Sequence, residues 1–188
     1  MKKIKLWKNR YEMSDYETII DDEDYEKIVE AIKYKNGKPG KWYAHRTCAG
    51  SGYYAFAGDH RKSMHRIIMD PPKGLYVDHI NGNTLDNRKE NLRICTHSQN
   101  CQNKKLNRTS ASGYKGVHKV KSRNLKKPFQ AYIRVPDWRK KGLEGGPIRL
   151  GYYATAEEAA RVRDKKAKEL HGEFAYLNFP EEHNVILS

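Results

Sequence analysis

Cysteine is scarce: Cys48, Cys95 and Cys101 are the three in 188 residues, an odd set without paired spacing. That argues against a disulfide framework and against a four-ligand zinc site, and it suits thiols in a reducing compartment. No run approaches the roughly 20 apolar residues needed to span a bilayer. The opening MKKIKLWKNR turns polar and acidic where a signal peptide would continue with an apolar core. The expected setting is cytoplasmic, with no membrane partner. Acidic residues are also in short supply, 23 against 37 Lys and Arg, which leaves a net charge of +14.

That charge is unevenly placed. Glu12 to Glu30 is acidic, whereas Lys104 to Arg149 holds fourteen Lys and Arg against Asp137 and Glu144, a net of +12. Tyr114, Phe129, Tyr132, Trp138, Tyr152 and Tyr153 are woven through the basic stretch. Basic side chains neutralise phosphates and aromatics favour a rigid sheet, so this half reads as a nucleic-acid footprint. The length fits two small modules joined by a linker.

Local patterns supply the elements. Tyr25, Ile28, Val29 and Ile32 share one face of a helix expected over Asp22 to Lys33. Lys41 to Met69, with aromatic pairs and the stretch Met64-His65-Arg66-Ile67-Ile68-Met69, suggests strands joined by turns. After the Pro71-Pro72-Lys73-Gly74 break, Leu75 to Ile80 reads as a strand entering the Asn81-Gly82 turn. A polar loop, Asn83 to Glu90, leads to a second short strand, Asn91 to Cys95. Thr96 and Gln99 then form a capping-box pattern that opens a helix through about Lys105. The small polar run 107–113 is the linker. Beyond it, Tyr114 to Val120, Phe129 to Val135 and Pro147 to Ala154 read as three strands, followed by a helix from the Thr155–Glu158 capping box to His171.

The informative cluster is VDHINGNTLDNRKENLRICTHSQN, Val77 to Asn100. Asp78 and His79 end a strand, Asn91 follows twelve residues after His79, and Asn100 nine further on in the first turns of a helix. A hairpin running into a helix would gather all four. Oxygen ligands for a hard cation beside an imidazole that titrates near neutrality are parts for phosphodiester hydrolysis.

With this spacing the segment closely resembles the ββα-metal motif of HNH endonucleases, and the lead-in from His65-Arg66 to Gly74 resembles that of phage-type homing enzymes. The resemblance implies that His79 is the general base and that Asp78 and Asn100 hold one divalent cation, Mg²⁺ or Mn²⁺. It implies also that Asn91 braces the loop and orients His79, and that the products carry 3′-hydroxyl and 5′-phosphate ends. Where the family name expects His, this chain has Asn100; His97 is an alternative ligand.

Downstream, SGYKGV, QAYIRV and the run from IRLGYYATAEEAA to LNFP resemble the plant-type AP2 DNA-binding domain over Ser112 to Pro180. The resemblance implies a three-stranded sheet in the major groove with a helix bracing its back. Lys115, His118, Gln130, Tyr132, Arg134 and Arg149 would then face DNA. Arg134 and Arg149 suit guanine edges, and Lys115, Lys119 and Lys121 suit phosphates.

The expected organisation is thus α+β. Residues 1–60 form a scaffold of helix and strands, 61–106 the HNH nuclease domain, 107–113 a linker, 114–180 the AP2-like domain and 181–188 a tail. The function implied is a homing-type endonuclease that nicks one strand of double-stranded DNA, acting as a monomer without an obligate protein partner, in a bacterial or phage-infected cell. The alternative is a DNA-binding regulator whose HNH fold is a non-catalytic clamp.

Overall fold

Two hydrophobic clusters that share no residue organise the chain in the computed structural model, which describes residues 1–46, 52–58, 62–104, 111–121, 125–135 and 147–183. One lies within the compact unit Met1–Asn100 and the other within Cys101–Ser188. No described helix is long and apolar enough to cross a membrane.

In the first unit, β1 (Lys2–Trp7) turns Leu6 inward and Lys3 and Lys5 outward, the period of two that a half-buried strand requires. It pairs antiparallel with β2 (Met13–Ile20), whose Ser14, Thr18 and Ile20 are buried. β3 (Trp42–Arg46) and β4 (Tyr53–Ala57) complete a four-stranded sheet in the order β2-β1-β3-β4. The helix α1 spans Tyr25–Glu30, shorter than expected, because Asp22–Asp24 forms a 3-10 turn and the chain leaves the helix after Glu30.

Met64–Met69, expected as a strand, is the helix α2. Met64, Ile67 and Ile68 stand at i, i+3 and i+4 and pack on the core, but in six residues that spacing is easily mistaken for alternation. A two-stranded antiparallel hairpin follows, β5 (Tyr76–His79) with β6 (Leu92–Cys95), and then α3 (His97–Gln102). The Thr96–Gln99 capping box is formed, with Gln99 N–H donating to Thr96 Oγ1 at 3.3 Å and Thr96 N–H donating to Gln99 Oε1 at 2.8 Å. Val77 and Leu92 join Leu6, Ile20, Ile28, Met64 and Ile68 in one core, so the N-terminal strands and the hairpin bury the same apolar surface.

Most of the proposed linker, 105–110, lies outside the described residues. The second unit carries the antiparallel sheet β7 (Val117–Lys119), β8 (Phe129–Ile133) and β9 (Ile148–Tyr153), in that order. The helix α4 (Ala156–His171) starts at a complete Thr155–Glu158 capping box. Ala156, Ala159 and Ala160 pack with Val117 and Ala131, small residues that let helix and sheet approach closely. Gly116, at φ +75, closes the turn into β7; a Cβ there would lie 2.6 Å from the Tyr132 carbonyl oxygen.

Candidate active site

The hairpin sets cross-strand pairs: Asp78 opposes Arg93 and His79 opposes Leu92. Asp78 is buried, and its Oδ2 accepts two hydrogen bonds from Arg93, from Nε at 3.0 Å and from Nη2 at 2.8 Å. His79, 4% exposed, has its Nε2 3.0 Å from Asn87 Oδ1. Burial lowers its proton affinity from that of an ordinary imidazole, opposed by the Asn87 hydrogen bond and the charges of Asp78 and Asp86.

Asn91 sits at the end of a 3-10 turn (Lys89–Asn91) and braces the loop. Its Nδ2 donates to the Asp86 carbonyl at 2.7 Å, while its Oδ1 accepts the Asn81 N–H at 2.9 Å. Asn87, rather than Asn91, is the loop asparagine bonded to the His79 ring. Asp86 ties the same loop to Arg88 through two bonds of 2.7 Å. Asn100 is half-buried in α3, its N–H bonded to the Thr96 carbonyl at 3.0 Å. His97 is exposed, its ring 5.3 Å from that of Tyr76.

Sequence reasoning missed three contributors. Asn87 lies in the DNR run and is 1% exposed. Thr18, from β2, accepts the Asn87 amide N–H at 2.7 Å. His65, from α2, stands with its ring 5.1 Å from that of His79 and 5.3 Å from that of Tyr54. The sequence offered no signal for Thr18, which follows Asp15, Tyr16 and Glu17 and turns inward with Ile20 only once β2 is placed, whereas the His65-Arg66 lead-in was the available signal for His65. The acidic segment has a role here too: Asp21 accepts the Lys89 N–H at 2.8 Å, and Lys89 Nζ pairs with Glu23 at 2.5 Å and Asp24 at 3.2 Å.

Oxygen donors that could hold a small hard divalent cation come from two of these residues. Asp78 and Asn100 offer a carboxylate and an amide oxygen, and among the described residues no three His, Cys, Asp or Glu side chains form a metal-binding group.

In the second unit, directly opposed residues share a face of the sheet. His118, Gln130 and Tyr152 are in register on the face turned away from the buried Val117 and Ala131, and Gln130 Nε2 donates to the Tyr152 hydroxyl at 2.8 Å. Tyr132 and Arg149 pair on the same face, and Arg134 is exposed just beyond the strand. Lys119 lies on the other face, opposite Phe129, with its Nζ 5.8 Å from that ring's centroid. Lys115 is turned inward: its Nζ donates to the Gln102 and Lys104 carbonyls, both at 2.6 Å, and burial lowers its pKa to about 8. Tyr153 packs on the core, whereas Tyr152, which sequence reasoning did not select, is on the open face.

Residues 70–102 match the HNH endonuclease family. The chain is 32% identical over 144 residues to the uncharacterized HNH endonuclease L560 of Acanthamoeba polyphaga mimivirus, covering 73% of this chain and 66% of that protein. It is 31% identical over 104 residues to protein 3.8 of Escherichia phage T7, covering 55% of this chain and 76% of that protein. It is also 46% identical over 41 residues to a candidate HNH homing endonuclease, YosQ, of the SPbeta prophage of Bacillus subtilis, covering 22% of this chain and 24% of that protein. No solved structure matches. Folded as the hairpin and helix that carry Asp78, His79, Asn91 and Asn100, residues 70–102 form an HNH endonuclease domain, the domain of a family of DNA-hydrolysing enzymes.

Proposed function

We propose that the chain is a homing-type endonuclease that nicks one strand of double-stranded DNA at a place set by its C-terminal sheet. The observation that carries the reading is a buried imidazole, His79, held in one orientation next to a buried carboxylate, Asp78, at the end of one strand. His79 takes the proton from the attacking water; burial lowers its proton affinity, which favours the unprotonated ring that such a base must start from. Asp78 and Asn100 would hold one divalent cation, Mg²⁺ or Mn²⁺, and that cation would supply stabilisation of the charge developing on the departing 3′ oxygen. Arg93 keeps Asp78 Oδ2 in place, and Asn91 keeps the loop that carries Asn87 in place.

The reading of DNA is assigned to the open face of the second sheet. Arg134 and Arg149 contact base edges, and His118, Gln130, Tyr132 and Tyr152 line the surface between them. Lys119 contacts phosphate from the sheet edge, and Lys115 supports the fold of the reader from within.

A single His79 can take the proton of one attacking water at a time, so the first product is a nick. The test is incubation of supercoiled plasmid and of duplexes labelled on each strand with Mg²⁺. Wild-type protein should give open circles before linear DNA, and His79→Ala should lose a factor of about 10² to 10⁴ in rate with DNA affinity nearly unchanged. Simultaneous cutting of both strands at dilute enzyme overturns the nickase reading. Binding without any cleavage favours the regulatory clamp.

A further inference from the structure

The hydrogen atoms around His79 can be assigned from a chain of buried contacts, and the assignment begins outside the ββα segment. Thr18 is fully buried on β2. Its hydroxyl reaches two atoms that can only accept, the Leu85 carbonyl oxygen at 2.8 Å and the weaker Met64 Sδ at 3.9 Å, so the single hydroxyl proton goes to the carbonyl. Thr18 Oγ1 is then an acceptor towards Asn87, 2.7 Å away, and the atom facing it must be the amide nitrogen. The same nitrogen meets Met64 Sδ at 3.8 Å, a weak acceptor for its second hydrogen. Asn87 Oδ1 is left facing His79 Nε2 at 3.0 Å, and an amide oxygen can only accept, so Nε2 carries the ring proton. Turning the amide over would leave the Thr18 hydroxyl between two acceptor oxygens with one proton, and would aim an oxygen at a sulfur that cannot donate.

We propose that Thr18 is a positioning residue of the nuclease site: through Asn87 it holds neutral His79 with its proton on Nε2 and its lone pair on Nδ1, the atom that accepts the proton of the attacking water. Thr18 touches neither water nor DNA in this role. It converts the fixed direction of a backbone carbonyl into a fixed tautomer, and β2 is thereby part of the catalytic apparatus. Partners of this kind commonly change activity by about 10–100-fold when removed.

The proposal rests on His79 being the base, and the experiment separates the two. Thr18→Val keeps the shape and removes the hydroxyl; Thr18→Ser keeps the hydroxyl. With supercoiled plasmid and Mg²⁺, T18V should lose about 10-fold or more in kcat with KM within about twofold, and T18S should stay close to wild type. In ¹⁵N-histidine-labelled, metal-free protein, His79 should show a protonated Nε2 and an unprotonated Nδ1, and T18V should show a tautomer mixture. Normal kcat in T18V, equal losses in T18V and T18S, or a wild-type ring proton on Nδ1 each overturn the proposal. The last needs no variant to fold. Should H79A cut at the normal rate, the assignment of the base itself fails; should H79A be inactive and T18V fully active, this inference alone fails.

Discussion

His65 carries a stability signature that needs no DNA to measure. It lies in α2 with its Nε2 3.3 Å from Ser63 Oγ, and its pKa is lowered to about 3, first by burial and then by the nearby His79 and Arg66. The unfolded chain takes up that proton near pH 6.5. Between those values the unfolded state binds more protons than the folded one, so stability falls as the pH drops from about 6.5 towards 3. His79 acts in the same direction, since its pKa is also lowered. His65→Phe, which removes one of the two sites while keeping a ring beside Tyr54, should flatten the dependence of melting temperature on pH without abolishing it. An unchanged slope in that variant would show that His65 is protonated as readily in the folded protein as in the unfolded one.

Among the elements, α4 depends on an ion pair as well as on its alanines. Arg163 and Asp164 are buried neighbours, with Arg163 Nη1 3.1 Å from Asp164 Oδ1. Asp164 also accepts from the Asn178 side-chain amide at 2.9 Å and from the Phe179 N–H at 3.0 Å, while Asn178 Oδ1 accepts the Lys115 N–H and Asn178 Nδ2 donates to the Lys115 carbonyl. The LNFP segment is thus fastened to the helix and to the start of the sheet by one carboxylate and one amide. Asp164→Ala leaves the Arg163 charge buried without its partner and should cost about 3–5 kcal/mol. Thr155→Ala removes the cap and should cost about 1 kcal/mol. Denaturant titrations of the two variants check the order; a Thr155 loss as large as the Asp164 loss would contradict it.

At the scale of the whole molecule, a hydrophobic cluster in each unit implies that the nuclease unit keeps its fold when the second is removed. A fragment ending near residue 107 loses most of the net +12 stretch between Lys104 and Arg149. Its DNA binding should be weaker and should fall less steeply with salt, because fewer counterions are released. Fluorescence anisotropy over a salt series measures both slopes, and equal slopes would remove the second unit from the DNA interface. The sequence by itself determined the hairpin from Tyr76 to Cys95, both capping boxes, the strands of the second sheet and the Asp78-His79 cluster, because each depends on spacing within a few residues or on one turn. Tertiary structure decided what depends on separate segments meeting: that Met64–Met69 is a helix against the core, that Lys115 turns inward, and that Thr18 reaches His79 through Asn87. The physical reason is distance along the chain. A local pattern is specified by backbone geometry and alternating burial, whereas a buried hydrogen bond between residues 18 and 87 exists only once a shared core has brought two strands together.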